Sequence, residues 1–369
     1  DTIFALPGAQ LDPMFGALYQ ARETIRVIHT RHEQGTSYMA FGYAQSTGRV
    51  GVNLVVPGPG LLNASAGLST AYACGAPVLC LAGQIPSKLI GQGIGQLHEL
   101  ADQPGAVASV TKWRGRADTP SDAPGKVREA LQQLNTGRVQ PVLLEMAPDI
   151  MASRGDVELL APIASYDGID PEPDEDLIEQ AAALLGNAEH PAIMIGGGIW
   201  GAEESLLNLA EEIQAPVCPS PHGNGAIDSR HYLAQNLMCA KEDWDNIDVV
   251  LAVGTRYQAP ASWGQHDGKK LIRIDIDANQ SIQIATPDVH IISTAAKSLK
   301  MLAERVQRHN RKRESRESEL SALKRTVMDR FNSLEPQYSY NMVIRDELPE
   351  DGIACFDITQ LGYVAWFGF

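Results

Sequence analysis

The sequence predicts an α/β fold of consecutive doubly wound, parallel-sheet domains. Three observations point there. Short continuous apolar runs alternate with helix-length segments along most of the chain, the pattern of strands covered on both faces. Several of these runs end in glycine or polar residues, at the strand ends where open parallel sheets bind ligands. The alternation also starts afresh after a polar, proline-rich stretch, as it does between domains.

In the first region, 1–150, strands are expected at 3–6, 25–28, 51–56, 78–82 and 141–146, with helices at 63–74 and 123–134. The run 25–28 reads as a buried strand that leads into Thr30-Arg31-His32-Glu33-Gln34-Gly35, with a helix continuing through Ala44. Glu33 therefore lies at a strand end and in a first helical turn, where the helix dipole favours a carboxylate. On placement alone it is a dipole-stabilising residue.

Pro57-Gly58-Pro59-Gly60 follows the strand at 51–56. Its glycines permit close approach to the backbone, its prolines stiffen the turn, and Asn63 falls at a helix N-cap. A tight strand-to-helix connection explains the same residues equally well. Gly91-Gln92-Gly93-Ile94-Gly95-Gln96-Leu97-His98-Glu99 reads as a mobile or closely approached loop. His98 and Glu99 are its candidate polar groups in a cleft, although a lone histidine serves as readily in a structural hydrogen bond.

A linker is expected over 148–174, then a second domain over 172–305 with a helix from 177. Its strands are 192–195, 249–253 and 271–276, and a helix spans 203–213. Gly196-Gly197-Gly198, Gly254-Thr255-Arg256 and Ile274-Asp275-Ile276-Asp277 stand at carboxyl ends of those strands. From 295 to 331 the pattern is helical and charged. Arg305, Arg308, Arg311, Lys312 and Arg313 read as a solvated connecting helix, since no aromatic or motif supports nucleic-acid contact. A third region, 337–369, begins with a helix at 340–348 and a strand at 353–356.

With 369 residues and 44% hydrophobic content, the chain suffices for two or three domains with a large core. A net charge of −15 argues against a nucleic-acid partner. The five cysteines show no metal-ligand or disulfide spacing, so no metal ligands are assigned and a reducing, cytoplasmic setting is expected. No apolar run nears the roughly 20 residues of a membrane span, and no signal peptide is visible. The sequence opens without Met inside a strand pattern and stops in the apolar 365–369, so both ends read as cut.

Several segments carry a family resemblance. They are Thr30-Arg31-His32-Glu33-Gln34-Gly35, the stretch from Met39 to Gly48, Gly58-Pro59-Gly60-Leu61-Leu62-Asn63, Thr70-Ala71-Tyr72, the stretch from Pro77 to Gln84, and Thr111-Lys112. Together they resemble the thiamine-diphosphate-dependent 2-oxo-acid enzymes, most of all the acetolactate synthase large subunit. The resemblance implies a pyrimidine-binding first domain, a middle domain, and at 337–369 the start of a diphosphate-binding domain. It implies a decarboxylating carboligase acting on pyruvate or a similar 2-oxo acid. A 2-oxo-acid decarboxylase, an aldehyde or acyl lyase, or a non-catalytic relative are the alternatives.

In that family a glutamate hydrogen-bonded to the cofactor's pyrimidine drives its conversion to an internal base, and Glu33 aligns with that glutamate. The role calls for a pocket poor in water, with Met39 and Ala40 as apolar neighbours. The resemblance places Pro57, Gly58, Gly60 and Asn63 along the pyrimidine and Pro7, Gly8 and Ala9 beside the reacting centre. Ala9 stands where synthases usually carry glycine, and His98 stands roughly where they carry glutamine, as a candidate proton donor or acceptor. Thr359 and Gln360 match a diphosphate-facing turn. The family's Gly-Asp-Gly magnesium motif is absent from this sequence, so Mg2+ is expected to bind outside it. FAD is a candidate for Gly196–Gly198 and Gly254–Arg256, turns that any α/β domain can also carry without a ligand, and the site is expected at the subunit interface of a homo-oligomer.

Overall fold

The computed structural model describes residues 1–163, 170–263, 268–279 and 285–368. Residues 164–169 of the expected linker, and Phe369, lie outside the described residues. The chain divides into two compact units, Asp1–Ile169 and Asp170–Phe369.

In the first unit the strands are β1 (Thr2–Ala5), β2 (Arg26–His29), β3 (Gly51–Val55), β4 (Val78–Gly83), β5 (Trp113–Ala117) and β6 (Val142–Met146). They form one parallel sheet in the order β2-β1-β3-β4-β6-β5. The helices are α1 (Asp12–Gln20), α2 (Glu33–Thr47), α3 (Pro59–Cys74), α4 (Gln103–Ala106), α5 (Ala123–Asn135) and α6 (Pro148–Ala152). From β1 the chain steps outward to β2, then returns to the other side of β1 as β3. The strand order reverses there, which opens a crevice at the carboxyl ends of β1 and β3.

Alternation along the strands assigns the two faces. Phe4 and Val55 join Ala40, Ala44, Leu61, Ala64 and Leu68 of α2 and α3 in one cluster. Their neighbours Ala5, Leu54 and Val56 pack with Leu11 and Leu18 on the α1 side. Farther along the sheet, Leu79, Val142 and Leu144 meet Ala130 and Leu134 of α5.

Two expectations for this sheet need correction. β2 is an edge strand, with Arg26 and His29 exposed and Val27 and Ile28 half-buried, because only β1 pairs with it. β5 was not anticipated, since Trp113-Arg114-Gly115-Arg116-Ala117 is no apolar run. It is the opposite edge, where charged side chains are tolerated and discourage further pairing.

In the second unit, β7 (Pro191–Ile195), β8 (Val217–Pro219), β9 (Val249–Val253), β10 (Lys270–Asp275) and β11 (Val289–Ile292) form a parallel sheet ordered β11-β10-β9-β7-β8. Its reversal lies between β7 and β9. The helices are α7 (Glu175–Asn187), α8 (Glu203–Ile213), α9 (Leu237–Glu242), α10 (Gln258–Ala261), α11 (Ala295–Val306), α12 (Glu317–Phe331), α13 (Gln337–Glu347) and α14 (Gln360–Gly368). Ile193, Leu251 and Ile272 of the sheet pack with Leu185, Leu206 and Leu299 in its main core. β8 and β11 escape sequence reading because one is very short and the other carries His290.

The basic cluster is not one connecting helix. Arg308, Arg311, Lys312 and Arg313 lie between α11 and α12. Arg313 Nη2 donates to the carbonyls of Leu185 (3.0 Å) and Gly186 (3.1 Å), near the end of α7 where carbonyls lack helical partners. The strand expected at 353–356 does not form either. The segment has no pairing strand among the described residues, and Ile353 stands exposed.

Candidate active site

The crevice at β1 and β3 gathers Gly8, Glu33, Gly58, Gly60, Asn63 and His98 of the residues singled out in the sequence. His32 caps α2, its Nδ1 accepting from Gln34 N at 3.1 Å, so Glu33 begins the helix. Asn63 Nδ2 donates to Glu33 Oε2 at 3.0 Å. Asn63 was expected at the N-cap of its helix but lies one turn inside it. Gly58 is the cap and Pro59 the first helical residue, a position where the missing N–H costs nothing. That shift frees the Asn63 side chain to reach across to α2.

Glu33 is half-buried and Asn63 exposed. Of the expected apolar neighbours, Ala40 is buried and Met39 is 40% exposed. Helical periodicity accounts for the difference: seven residues on from Glu33 return to its face, whereas six do not. The first unit on its own therefore leaves one side of the carboxylate open to solvent.

Val56 sets the spacing of two loops. A Cβ on Gly8 would lie 2.4 Å from Val56 Cγ1, and a Cβ on Gly60 would lie 2.5 Å from Val56 Cγ2. The Pro7-Gly8-Ala9 loop after β1 and the Pro57–Gly60 turn after β3 thus pack on the two methyls of one valine. The Gly60 Cβ would also stand 3.5 Å from Glu33 Oε1. Gly60 thus leaves space beside the carboxylate, while both glycines also serve the close packing of the two loops on Val56.

Gly58 is required twice over. Its φ of +58° lies in the left-handed region, and a Cβ there would meet the backbone oxygen of His98 at 2.5 Å. His98 is itself left-handed, with φ 72°, a conformation that costs a non-glycine residue about 1–2 kcal/mol. Its Nδ1 lies 3.1 Å from the Pro57 carbonyl oxygen. A carbonyl only accepts, so Nδ1 carries the proton and Nε2 of the neutral ring carries the lone pair. Glu99, expected in the cleft, instead turns back on its own loop. Its carboxylate accepts from Gly93 N at 2.8 Å and Gln96 N at 2.9 Å. Those amides, Gln96 foremost, hold it below the usual carboxylate range.

Sequence reasoning misses Gln103 and Glu145, which are 2% and 0% exposed. Gln103 Oε1 accepts from Gly58 N at 2.8 Å, and its Nε2 donates to Glu145 at 2.7 Å. A glutamate inside the apolar run Val142–Met146 is the one signal that could have prompted the search.

In the second unit, glycines meet at the β7/β9 reversal. Gly198 N donates to Gly254 O at 3.1 Å, and a Cβ on Gly254 would lie 2.4 Å from Gly198 Cα. These loops need glycine in order to pack on each other, before any ligand is considered. Thr359 and Gln360 open α14. Thr359 Oγ1 accepts from Gly362 N at 3.3 Å, and Gln360 Oε1 accepts from Gln337 Nε2 at 2.5 Å. Among the described residues no group of three or more His, Cys, Asp or Glu is arranged to hold a metal ion, and no described helix is long and apolar enough to cross a membrane.

Comparison with known proteins identifies two domains. Residues 1–106 match the thiamine pyrophosphate enzyme N-terminal TPP-binding domain, and residues 178–302 match the central domain of the same enzymes. A probable 2-ketoarginine decarboxylase of Pseudomonas aeruginosa is 30% identical over 100% of this chain and 67% of its own length. A probable acetolactate synthase large subunit of Methanocaldococcus jannaschii is 33% identical over 81% of this chain and 52% of its own. An acetolactate synthase of Arthrospira platensis is 31% identical over 84% and 56%. The chain thus spans between about half and two thirds of the length of these relatives. By both its matched domains and its relatives, the chain belongs to the thiamine pyrophosphate enzyme family.

Proposed function

We propose that this chain serves a thiamine-diphosphate-dependent, decarboxylating carboligase of the acetolactate synthase type, with pyruvate or a similar 2-oxo acid as substrate. The observation that carries the reading is the Glu33–Asn63 pair at the sheet's reversal point. The residues fit the cofactor's pyrimidine. Glu33 offers a carboxylate to a ring nitrogen, Asn63 orients it, and the absent side chains of Gly58 and Gly60 leave room beside it.

When bound, the cofactor supplies an electron sink for the carbanion left by decarboxylation. Glu33 holds or shares a proton at the ring nitrogen. Asn63 fixes one oxygen, so the other is the one presented. Pro57, Gly58 and Gly60 line the ring, while Pro7, Gly8 and Ala9 border the reacting centre. His98, with Nε2 unprotonated in its neutral form, accepts or returns a proton near the substrate. Thr359 and Gln360 are assigned to the diphosphate.

Glu33→Gln is expected to remove most activity and weaken cofactor activation in the full-length enzyme; full turnover would defeat the assignment. A second reading, a simple 2-oxo-acid decarboxylase, gains support from the Pseudomonas relative, whose match covers the whole chain. Acetolactate formed from pyruvate favours the first reading and acetaldehyde the second. Mg2+ at the diphosphate and FAD at the Gly196–Gly198 turn are proposed on the family resemblance. Magnesium titration and the visible spectrum of the purified protein test them. A homo-oligomer with the site at its subunit interface is proposed on the same ground, and sedimentation tests it. A reducing cytoplasm is proposed from the five free cysteines, with fractionation as the test.

A further inference from the structure

The Pro57–Gly60 turn is held from behind by a buried polar chain that the proposed mechanism does not use. Gln103 is 2% exposed and every polar atom of its amide is committed. Nε2 donates to Gly83 O at 2.9 Å and to Glu145 Oε2 at 2.7 Å. With both protons used, the amide has one orientation, and Oε1 faces Gly58 N at 2.8 Å. Gly58 is the cap of α3 and is buried, so its N–H has neither a helical partner nor ready access to water.

Behind Gln103, the fully buried Glu145 is compensated by Arg116 Nε at 2.5 Å. Arg116 and Glu145 are direct partners in the β5/β6 register. The chain of contacts therefore runs from the sheet edge, through the ends of β6 and β4, to the amide of Gly58. An ion pair with a fully buried carboxylate and a 30% exposed guanidinium is weak evidence of stabilisation, because well-packed apolar residues can do as well. What apolar residues cannot do is satisfy the Gly58 N–H and fix where the turn sits.

We propose that Gln103, oriented by Glu145 and Arg116, is the positioning residue for the Gly58–Gly60 turn, and so for the surface offered to the cofactor's pyrimidine. The proposal rests on the thiamine diphosphate reading and adds to it a residue that touches neither cofactor nor substrate. Three measurements on the full-length protein with Mg2+ test it: amide hydrogen exchange over residues 56–62 without cofactor, thermal midpoint, and thiamine diphosphate affinity by calorimetry. Gln103→Leu is expected to speed exchange at that turn and weaken cofactor binding at least tenfold, with a smaller loss in kcat at saturating cofactor. Leu134→Ala, in the core beneath α5, serves as a destabilised control and is expected to leave affinity within twofold.

If Gln103→Leu does not fold, Gln103→Met keeps the length of the side chain but neither accepts from Gly58 N nor donates to Gly83 O. It is expected to show the same faster exchange and weaker cofactor binding. Unchanged exchange and affinity in Gln103→Leu overturn the proposal but leave the cofactor reading intact. So does an affinity loss no larger than that of Leu134→Ala in whichever of the two variants folds. Failure of the wild-type protein to bind thiamine diphosphate overturns both.

Discussion

Gly67→Ala tests whether helix packing sets the site. Gly67 lies four residues after Asn63 on α3, and Ser37 lies four after Glu33 on α2. Residues four apart share a helix face. The close contact of Gly67 with Ser37 is therefore one turn from the Glu33–Asn63 hydrogen bond. A Cβ on Gly67 would meet Ser37 Oγ at 2.3 Å, Tyr38 N at 2.7 Å and Ser37 C at 2.8 Å. The serine hydroxyl can turn away, but the backbone atoms cannot. Ordinary contact begins near 3.4 Å, so the helices must part by about 0.7 Å at this point. A similar shift one turn away stretches the 3.0 Å bond from Asn63 to Glu33 beyond useful hydrogen-bond range.

Overpacking of this kind costs about 1–3 kcal/mol. In a unit of this size that is a fall of roughly 2–12 °C in thermal midpoint. Misplacement on this scale can lower kcat/KM by about ten- to a hundred-fold. The assay is calorimetry with steady-state kinetics on Gly67→Ala, Asn63→Ala and the double variant. If the alanine acts through the Glu33–Asn63 contact, the double variant is no slower than Asn63→Ala alone. An unchanged midpoint refutes the packing argument. Fully additive kinetic losses refute the link to the site.

Gly58→Ala should be worse in kind, since it adds left-handed strain of about 1–3 kcal/mol to a collision with the His98 backbone; lowered cofactor affinity with a lowered midpoint is the expected result. Glu99 gives a pH signature. Its folded value lies below the unfolded one, so its contribution is present above the unfolded value, and is lost as pH falls through the folded value. Denaturant titrations from pH 7 to 3 should show an acid-side loss in the wild type that Glu99→Gln lacks. Thiol titration should find Cys355 fast, because it is exposed. Cys80, pushed up to about 12 by burial, and Cys218 and Cys239, also raised by burial, should react only on unfolding.

The parts legible in the sequence were those that repeat a local physical rule. Central strands such as Val249–Val253 are unbroken apolar runs, and helices such as Glu203–Ile213 keep a clear period. The edge strand β5 was not legible, because half its environment is solvent. Trp113–Ala117 carries two arginines for that reason. At the site, Glu33 and the Pro57–Gly60 turn stood out by type and position. The true start of α3 did not, because a glycine cap followed by proline reads from sequence as a loop. Gln103 was invisible for another reason. Its partners Gly58, Gly83 and Glu145 are distant in sequence, and only the parallel register brings them together.

Val56 ties the histories of two loops together. Because its two methyls occupy the places where side chains on Gly8 and Gly60 would begin, neither glycine is free to change alone. A larger residue at 8 or 60 becomes admissible once position 56 loses a branch, so Val56→Ala should open a route to Gly8→Ala that is closed to the parent. Anyone enlarging the mouth of this crevice would do well to begin beneath it, at the valine on which both loops rest.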